Sequence, residues 1–405
     1  MPNIKKLGIL TSGGDCGGLN AVIYGAAKMA IANEIELVVI PNGYAGLYNL
    51  NSFTPVTLDN TKVENIKTAT AGSYAGNSRV KISKIKDERK WERIADNLKQ
   101  HDIDGLIIAG GDDTGSVAID LIDHDIQCVH VPKTMDLDLQ TYSVGGDSTI
   151  YRIAKFLNDL HTTGQTHNRA IVMEVFGRYV GHTAFRGGIA ADADCILIPE
   201  IGVDFEIIYE HFKRTFTRRL NDSEVCAATY SIVVAEGVKD KTGDIFTDVH
   251  SGMDSFGHKR LGGAGAFVKN MLEEFCRADI EYWKGIFIQN GCYIEGIYNA
   301  PEIRDINPGH LVRCGQTTPH DVSFGKQCGG GAVKLLLNGI KGVTVAGIYN
   351  GEIRYVPVKE AIKQRFVNLD DVAFYEQLGV CFGRKPEPNY KPVFNQLTGT
   401  VERHL

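Results

Sequence analysis

Several features are scarce or missing in this sequence of 405 residues. Its nine cysteines are scattered, and none form a close pair at the spacing of a metal site. No apolar run approaches the roughly 20 residues that span a bilayer. The short apolar run at 7–10 leads straight into glycines, which predicts a buried strand and not a signal peptide. These absences predict free thiols in a reducing compartment, a cytoplasmic location and no membrane partner.

The chain also lacks an excess of positive charge. It has 43 Lys and Arg against 49 Asp and Glu, which gives a net charge of -6. Nucleic-acid binding relies on dense positive charge, so the composition argues against a nucleic-acid partner. Any anion site must therefore be local and built by a few Arg, Lys and backbone N–H groups.

Short apolar runs alternate with helical segments along the chain. Continuous apolar strands between helices indicate a parallel sheet that is covered on both faces, with ligands beyond the carboxyl ends of its strands. The predicted strands are 7–10, 37–40, 106–109, 128–131, 171–175, 196–198 and 232–235, and the predicted helices are 20–32, 117–122, 151–160 and 267–277. Residues 239–308 interrupt this pattern and read as an insertion. The tail after Tyr355 is rich in proline and is expected to be an irregular surface extension.

Three polar loops each follow a predicted strand. Residues 11–20 (TSGGDCGGLN) combine a glycine turn with a helix start, where backbone N–H groups attract anions. Residues 110–114 (GGDDT) offer two carboxylates that suit Mg²⁺ when phosphates complete its shell. Residues 132–138 (PKTMDLD) offer a cation, a hydroxyl and two carboxylates on one side of an extended segment, one of which suits a general base.

Each loop alone has a simpler interpretation as a tight turn, a helix cap or a charged loop. Together they supply what phosphoryl transfer needs: backbone donors for phosphates, a divalent ion, cations and a base near the acceptor. Arginines and histidines add further cations, although composition alone does not single out the relevant ones, namely Arg169, Arg178, Arg304, His310 and Arg313.

The loops occur in an order that resembles the phosphofructokinase family, and the resemblance extends to about residue 356. Its motifs are TSGGD at 11–15, GNSR at 76–79, GGDD at 110–113, PKTMD at 132–136, MEVFGR at 173–178, AEG at 235–237 and GHLVR at 309–313. The resemblance implies an α/β fold with two Rossmann-like domains built on parallel sheets. It also implies a donor-binding domain (1–139 and 314–356), a sugar-phosphate-binding domain (140–313) and a C-terminal extension (357–405).

The resemblance further implies roles for individual residues. The phosphoryl donor would be held by Gly13, Arg79, Gly111, Asp113, Thr114 and Lys133, with Mg²⁺ bound by Asp112 through the donor phosphates. Asp136 would be the base that takes the proton from the sugar 1-hydroxyl, assisted by Thr134 and Asp138, and Arg178 would stabilise the transferring group. The sugar pocket would be shaped by Phe176, Gly177 and Glu236, and its 6-phosphate held by His310, Arg313 and, from a neighbouring subunit, Arg169 and Arg304. The active sites would thus be shared within a homodimer or homotetramer.

Two positions are expected to choose the phosphoryl donor. ATP-using members of the family usually have Gly in place of Asp113 and a small residue in place of Lys133, whereas pyrophosphate-using members resemble this sequence. A carboxylate beside a nucleotide α-phosphate is repelled by about 4 kcal/mol at ~4 Å and a dielectric of about 20. Lys133 would attract the compact pyrophosphate. The resemblance therefore implies a glycolytic enzyme that reversibly phosphorylates fructose 6-phosphate from pyrophosphate.

The sequence departs from the family pattern in three places, one of which is that residues 239–308 are longer than the corresponding part of the short bacterial enzymes. Leu137 stands where the family usually has Asn, and Gly17 stands where Pro is usual. The alternatives are an ATP-dependent enzyme, a non-catalytic regulatory subunit that binds sugar phosphates, and an enzyme for another sugar phosphate. The Leu137 change is the support for the regulatory subunit.

Overall fold

The computed structural model describes residues 4–52, 54–246 and 261–398. Its thirteen strands form two main sheets and one small one. The strands are β1 (Lys6–Thr11), β2 (Glu36–Val39), β3 (Val56–Thr57), β4 (Gly105–Gly110), β5 (Cys128–Pro132), β6 (Arg169–Val175), β7 (Cys195–Leu197), β8 (Gly202–Val203), β9 (Tyr230–Ala235), β10 (Lys239–Asp240), β11 (Glu302–Ile306), β12 (Val343–Tyr349) and β13 (Glu352–Pro357).

Thirteen α-helices cover these sheets in the described part of the chain. They are α1 (Leu19–Ile31), α2 (Gly43–Tyr48), α3 (Asn60–Glu64), α4 (Lys90–Gln100), α5 (Asp112–Asp123), α6 (Gly146–Thr166), α7 (His182–Ile189), α8 (Phe205–Asp222), α9 (Ala264–Ala278), α10 (Ile280–Gln289), α11 (Pro319–Leu337), α12 (Val358–Ala361) and α13 (Leu369–Gln377). Across residues 4–52, 54–246 and 261–398, none of the helices has the length and apolar character that a bilayer crossing requires.

The first sheet has seven strands in the order β13-β12-β5-β4-β1-β2-β3. Strands β12, β5, β4, β1 and β2 pair in parallel, and β13 and β3 close the two edges as antiparallel strands. Strands β1, β4 and β5 are almost entirely buried, as expected for continuous apolar strands between two helical layers. Because these strands are parallel, their carboxyl ends meet at one edge of the sheet.

The second sheet has four parallel strands in the order β11-β6-β9-β7. Its strands come from residues 169–306, whereas the first sheet uses residues 6–132 and 343–357. The expected division into two domains stays a prediction. Its core is rich in aromatic rings, with Phe212 and Trp283 at its centre.

Helices α1 and α11 pack with their backbones in close approach. A Cβ added at Gly25 of α1 would overlap the backbone of Lys326, and one added at Gly329 of α11 would overlap the backbone of Val22. Only glycine allows this approach. The contact fixes the start of α1, and with it the glycine loop that follows β1.

The structure confirms the predicted alternation of strands and helices. The strands predicted at 7–10, 106–109 and 128–131 are β1, β4 and β5, and the helix predicted at 267–277 lies within α9. Part of the expected insertion, residues 247–260, lies outside the described residues.

The tail after Tyr355 is not the irregular extension that its prolines predicted. It contains α12 and α13, and Cys381 makes an isolated β-bridge with Cys195 at the edge strand β7. Phe382 is fully buried in the core. The stretch from 385 to 398 is largely exposed and lacks helix or strand, while 399–405 lies outside the described residues.

Candidate active site

A cleft of about 550 Å³ lies at the carboxyl ends of strands from both main sheets. The loops after β1, β4 and β5 form one side, and the residues that follow β6 and β9 form the other. This is the position at which ligands bind in open α/β sheets. The lining includes residues from all three loops selected from the sequence, together with other predicted site residues. These lining residues are Gly13, Arg79, Gly111, Asp112, Asp113, Thr114, Lys133, Thr134, Asp136, Asp138, Phe176, Arg178, Glu236, His310 and Arg313.

The glycine loop after β1 faces two arginines. A Cβ added at Gly14 would lie 3.0 Å from Nη1 of Arg313 and 3.8 Å from Nη2 of Arg79. Gly13 has a φ of 84°, a left-handed conformation that favours glycine. Arg313 Nε also lies 3.4 Å from Asp15 Oδ1. The loop therefore places two guanidinium groups where an anion can reach backbone N–H groups.

The second loop begins helix α5. Asp112 and Asp113 occupy its first turn, where the helix dipole favours negative charge. Asp113 Oδ1 lies 3.4 Å from Nζ of Lys81, and both side chains are partly buried. The carbonyl oxygen of Thr114 accepts a hydrogen bond from the Tyr44 hydroxyl at 2.7 Å. These contacts hold the first turn of α5 in place beside the cleft.

Lys133 connects the first two loops. Its side chain is buried, and its Nζ donates a hydrogen bond to the carbonyl oxygen of Gly14. Its backbone N donates to the carbonyl oxygen of Gly110 at 2.9 Å. Burial lowers the pKa of Lys133. An anion that enters the cleft would relieve this desolvation by pairing with the ammonium.

The third loop carries two carboxylates, of which Asp138 is buried and Asp136 is half-buried. Burial raises the pKa of Asp136, and the neighbouring Asp112 raises it further. Burial, followed by the charges of Asp136 and Asp112, raises the pKa of Asp138 to about 7. Asp138 Oδ1 is buried without a hydrogen-bond partner in the described structure. A raised carboxyl pKa at a cleft is the condition that general acid-base chemistry uses.

Leu137 lies between the two carboxylates but does not line the cleft. Its side chain is buried, and its φ of 58° is left-handed. The side chain packs so closely on Gly146, the first residue of α6, that a Cβ there would overlap it. Leu137 therefore turns the loop and contributes to the packing below it.

The other side of the cleft is built on Glu236. Its Oε1 accepts hydrogen bonds from the backbone N of Arg178 at 2.9 Å and of Gly177 at 3.4 Å. Burial raises the pKa of Glu236 to about 7. Burial lowers the pKa of Arg178, but Asp136 and other carboxylates outweigh it, and the net shift is upward. The Arg178 charge thus faces the acidic loop.

Phe176 and His310 complete this side of the cleft. Their rings meet edge to face with centroids 5.5 Å apart. His310 belongs to a short 3-10 helix, Gly309–Val312, which ends beside Arg313. The apolar ring and the adjacent cations suit a ligand with a carbon body and a charged end.

Three predicted residues do not line the cleft of this chain. Gly177 contributes only its backbone N–H to Glu236. Arg169 and Arg304 lie on neighbouring strands β6 and β11, and both guanidinium groups bind the carboxylate of Glu302. Burial raises the pKa of Glu302, but these two cations outweigh it and lower the pKa overall. The expected role of the two arginines in a neighbouring subunit stays a prediction.

Sequence reasoning missed some residues of the cleft. Asp15, beside Arg313, lines the cleft and lay inside a quoted motif without an assigned role, and Lys81, which contacts the lining residue Asp113, is two residues beyond the GNSR motif. Tyr179 and Leu261 also line the cleft, and neither belongs to a recognisable motif. The nearness of Lys81 to the GNSR motif was the signal that could have identified it.

The carboxylates of the cleft fit a divalent cation that is shared with a phosphate ligand. Asp112 raises the pKa of both Asp136 and Asp138 by mutual repulsion, and a cation would relieve this. Within the described ranges no three His, Cys, Asp or Glu side chains gather tightly enough to hold a metal alone. Mg²⁺ commonly binds through one or two carboxylates with substrate phosphates, so Asp112 suits it.

Comparisons with known proteins agree with this arrangement. The family model described as phosphofructokinase matches residues 6–336. The pyrophosphate–fructose 6-phosphate 1-phosphotransferase of Dictyoglomus thermophilum is 33% identical over 382 residues, covering 94% of this chain and 99% of that protein. The ATP-dependent 6-phosphofructokinase 2 of Clostridium perfringens is also 33% identical, over 375 residues, covering 89% and 93%.

Solved structures share the fold. The crystal structure of the pyrophosphate-dependent phosphofructokinase from Nitrosospira multiformis aligns with a TM-score of 0.70 at 18% identity. It covers 98% of this chain and 100% of that one. At this identity the likeness concerns the fold, which is α/β with parallel sheets.

Proposed function

Because this chain belongs to the phosphofructokinase family, we propose that it transfers a phosphoryl group from Mg-pyrophosphate to the 1-hydroxyl of fructose 6-phosphate. The products are fructose 1,6-bisphosphate and phosphate. Pyrophosphate and the product phosphate ester have similar transfer potentials, so the reaction runs in both directions.

The position of Asp113 is the observation that carries the choice of donor. Its carboxylate lines the cleft in the first turn of α5, and Lys81 lies beside it. A nucleotide would have to bring its α-phosphate and sugar past this carboxylate. At ~4 Å and a dielectric of about 20 that repulsion reaches about 4 kcal/mol, an upper value since Lys81 offsets part of it. Pyrophosphate has no such extension.

Lys133 supports the same donor from the opposite side. Its buried ammonium lies between the glycine loop and the loop at 110–114, beside Gly13 and Gly14. Pyrophosphate concentrates its charge in two phosphoryl groups, and a buried point charge attracts a compact anion strongly. Arg79 adds a further cation at the glycine loop.

The transfer follows from the remaining side chains. Asp136 accepts the proton of the sugar 1-hydroxyl as this oxygen attacks the phosphoryl group in line, and Arg178 stabilises the charge of that group. Thr134 fixes the loop by accepting a hydrogen bond from the backbone N of Asp136 at 3.1 Å. Asp112 would hold Mg²⁺, which neutralises the donor phosphates when bound. His310 and Arg313 hold the 6-phosphate, and Phe176 packs on the sugar.

Three further properties belong to the same proposal. The enzyme acts in the cytoplasm and uses Mg²⁺. It assembles as a homodimer or homotetramer in which Arg169 and Arg304 reach the 6-phosphate of a neighbouring site. The proposal is supported by the position of both arginines on adjacent strands outside the lining of their own chain's cleft, where Arg304 is exposed and Arg169 is half-buried.

An ATP-dependent reaction is the second candidate, because relatives with that name are as similar as those named for pyrophosphate. Steady-state assays with fructose 6-phosphate and either MgATP or Mg-pyrophosphate separate the two. We expect strong turnover with pyrophosphate and little with ATP. Strong turnover with ATP and none with pyrophosphate would reject the donor assignment. Absence of turnover with both, together with sugar-phosphate binding, would favour the regulatory subunit.

A further inference from the structure

Residues 361–367 form a short segment of the tail that we call the strap. It lies beyond residue 336, where the match to the family model ends. The strap runs along residues 132–138, the loop after β5 that we call the carboxylate loop. Arg365 N donates a hydrogen bond to the carbonyl oxygen of Asp138 at 2.7 Å, and Gln140 N donates to that of Ala361 at 2.9 Å. The Gln140 amide donates to the carbonyl oxygens of Lys363 and Gln364 at 3.3 and 3.1 Å.

The strap also contacts elements around the second sheet. His182, the first residue of α7, donates from Nε2 to the carbonyl oxygen of Arg365 at 3.0 Å. Val367 N donates to Oε1 of Glu200 at 2.9 Å, and the same oxygen accepts the backbone N of Gly181 at 3.0 Å. One segment therefore joins the carboxylate loop to the residues that follow β6 and β7.

The carboxylate loop needs such external support. Leu137 has a left-handed backbone, which L-residues other than glycine, asparagine and aspartate rarely adopt. Its apolar side chain cannot hold the loop by hydrogen bonds. The flanking Asp138 is buried, Asp136 is half-buried, and the charge of Asp136 raises the pKa of Asp138. Backbone strain of this kind persists only where the surroundings hold it in place.

The Arg365 side chain supplies part of this support. Its Nη2 donates to the carbonyl oxygen of Leu137 at 3.4 Å. The guanidinium is partly buried, and its charge attracts the Asp138 carboxylate. Arg365 thus contacts the backbone of two consecutive loop residues, one through its side chain and one through its backbone N–H.

We propose that Arg365 is a positioning residue that holds Asp136 and Asp138 in the geometry for phosphoryl transfer. The strap sets the distance between this loop and the Arg178–Glu236 side of the cleft. Arg365 touches neither substrate, and its effect reaches the reaction through Leu137 and Asp138. The inference rests on the proposed function for its activity readout, and hydrogen exchange provides a readout without turnover.

Replacement of the side chain tests the proposal. In Arg365→Met the backbone N–H remains, and we expect kcat to fall by about 10-fold because the base is misplaced. The KM values for both substrates should stay within about twofold, since the phosphate-binding cations are untouched. Arg365→Lys should recover part of kcat, because it restores a cation that can reach the carbonyl oxygen of Leu137. Lys363→Ala is the matched control: it lies in the strap, is mostly exposed and pairs with Glu360.

Hydrogen exchange of the full-length protein gives the second readout. In Arg365→Met we expect faster exchange in the peptide 133–140 and no change in peptides from β1 or α1. If that variant fails to fold, Gln140→Leu carries the test, since it loosens the strap without altering Arg365. Unchanged exchange in 133–140 would overturn the proposal, as would an unchanged kcat or an equal loss in Lys363→Ala. A parent enzyme without turnover would reject the proposed reaction, and the exchange result would still decide the role of Arg365.

Discussion

Lys81 Nζ and Asp113 Oδ1 lie 3.4 Å apart at the edge of the cleft. The pair joins the segment after the GNSR motif to the first turn of α5. It holds a negative group at a fixed place in the lining of the cleft. Under the proposed function, this carboxylate would exclude a larger anion by both repulsion and volume.

Asp113→Gly should therefore relax the choice of donor. We expect kcat/KM with MgATP to rise by about 10-fold, while pyrophosphate use declines modestly, because a repulsion of about 1.4 kcal/mol corresponds to tenfold. Parallel steady-state assays with both donors measure the ratio. Lys81→Met is the control, since it keeps the carboxylate and should leave ATP excluded. An unaltered donor ratio in Asp113→Gly would remove this residue from donor selection.

Asp136→Asn should remove most of the turnover. A general base typically contributes about 10²- to 10⁴-fold, and an amide cannot accept the proton of the sugar hydroxyl. Binding of fructose 6-phosphate, measured by calorimetry, should persist. Asp192→Asn serves as the matched control because Asp192 is exposed and distant from the described cleft. Activity near that of the parent in Asp136→Asn would exclude it as the base.

Much of the cleft could be predicted from the sequence, because its loops follow strands that are continuous apolar runs. Strands β1, β4 and β5 were identified for that reason, and their parallel pairing brings Gly13, Asp112 and Asp136 together. The strap could not be predicted. Its contact with the loop joins the Asp138 carbonyl oxygen and the Arg365 N–H, and backbone atoms carry no residue-specific signal. Helix α13 was missed because the prolines after it dominated the interpretation of the tail.

The carboxyl group of Asp138 should make folding stability depend on pH. Its pKa is about 7 in the folded protein against an ordinary 3.8. Below about pH 4 both the folded and the unfolded protein hold this proton, so the group does not reduce folding stability. As pH rises towards 7 the unfolded chain releases the proton first, so the folded state loses stability. Above pH 7 the loss is complete.

Asp138→Asn removes this titration. We expect its free energy of unfolding to exceed that of the parent at pH 8 by about 1 kcal/mol or more, and to match it near pH 4. Denaturant titrations at both pH values, without divalent cations or phosphates, provide the measurement. A difference that stays constant with pH would contradict the raised pKa.

Gly146 and Leu137 should be energetically coupled. A Cβ at Gly146 would overlap Cδ2 and Cγ of Leu137, so Gly146→Ala should cost about 1–3 kcal/mol of stability through overpacking. Leu137→Ala alone should cost about 2 kcal/mol or more because it removes a buried side chain. The double variant should lose less than the sum, since each change makes room for the other. Chemical denaturation of all four proteins measures the cycle, and strict additivity would contradict the contact.

The carboxylate of Glu302 would compete with a phosphate ligand for the two arginines on the second sheet. Arg169 and Arg304 are both occupied by this one side chain. A phosphate that binds them must displace Glu302. Its apparent binding free energy is therefore the difference between its own interaction with the arginines and that of Glu302. Ionic strength weakens the arginine–Glu302 and the arginine–phosphate interactions together. The apparent affinity of the arginine pair for a phosphate should therefore depend little on salt. Its occupancy should still depend on the concentration of the phosphate ligand.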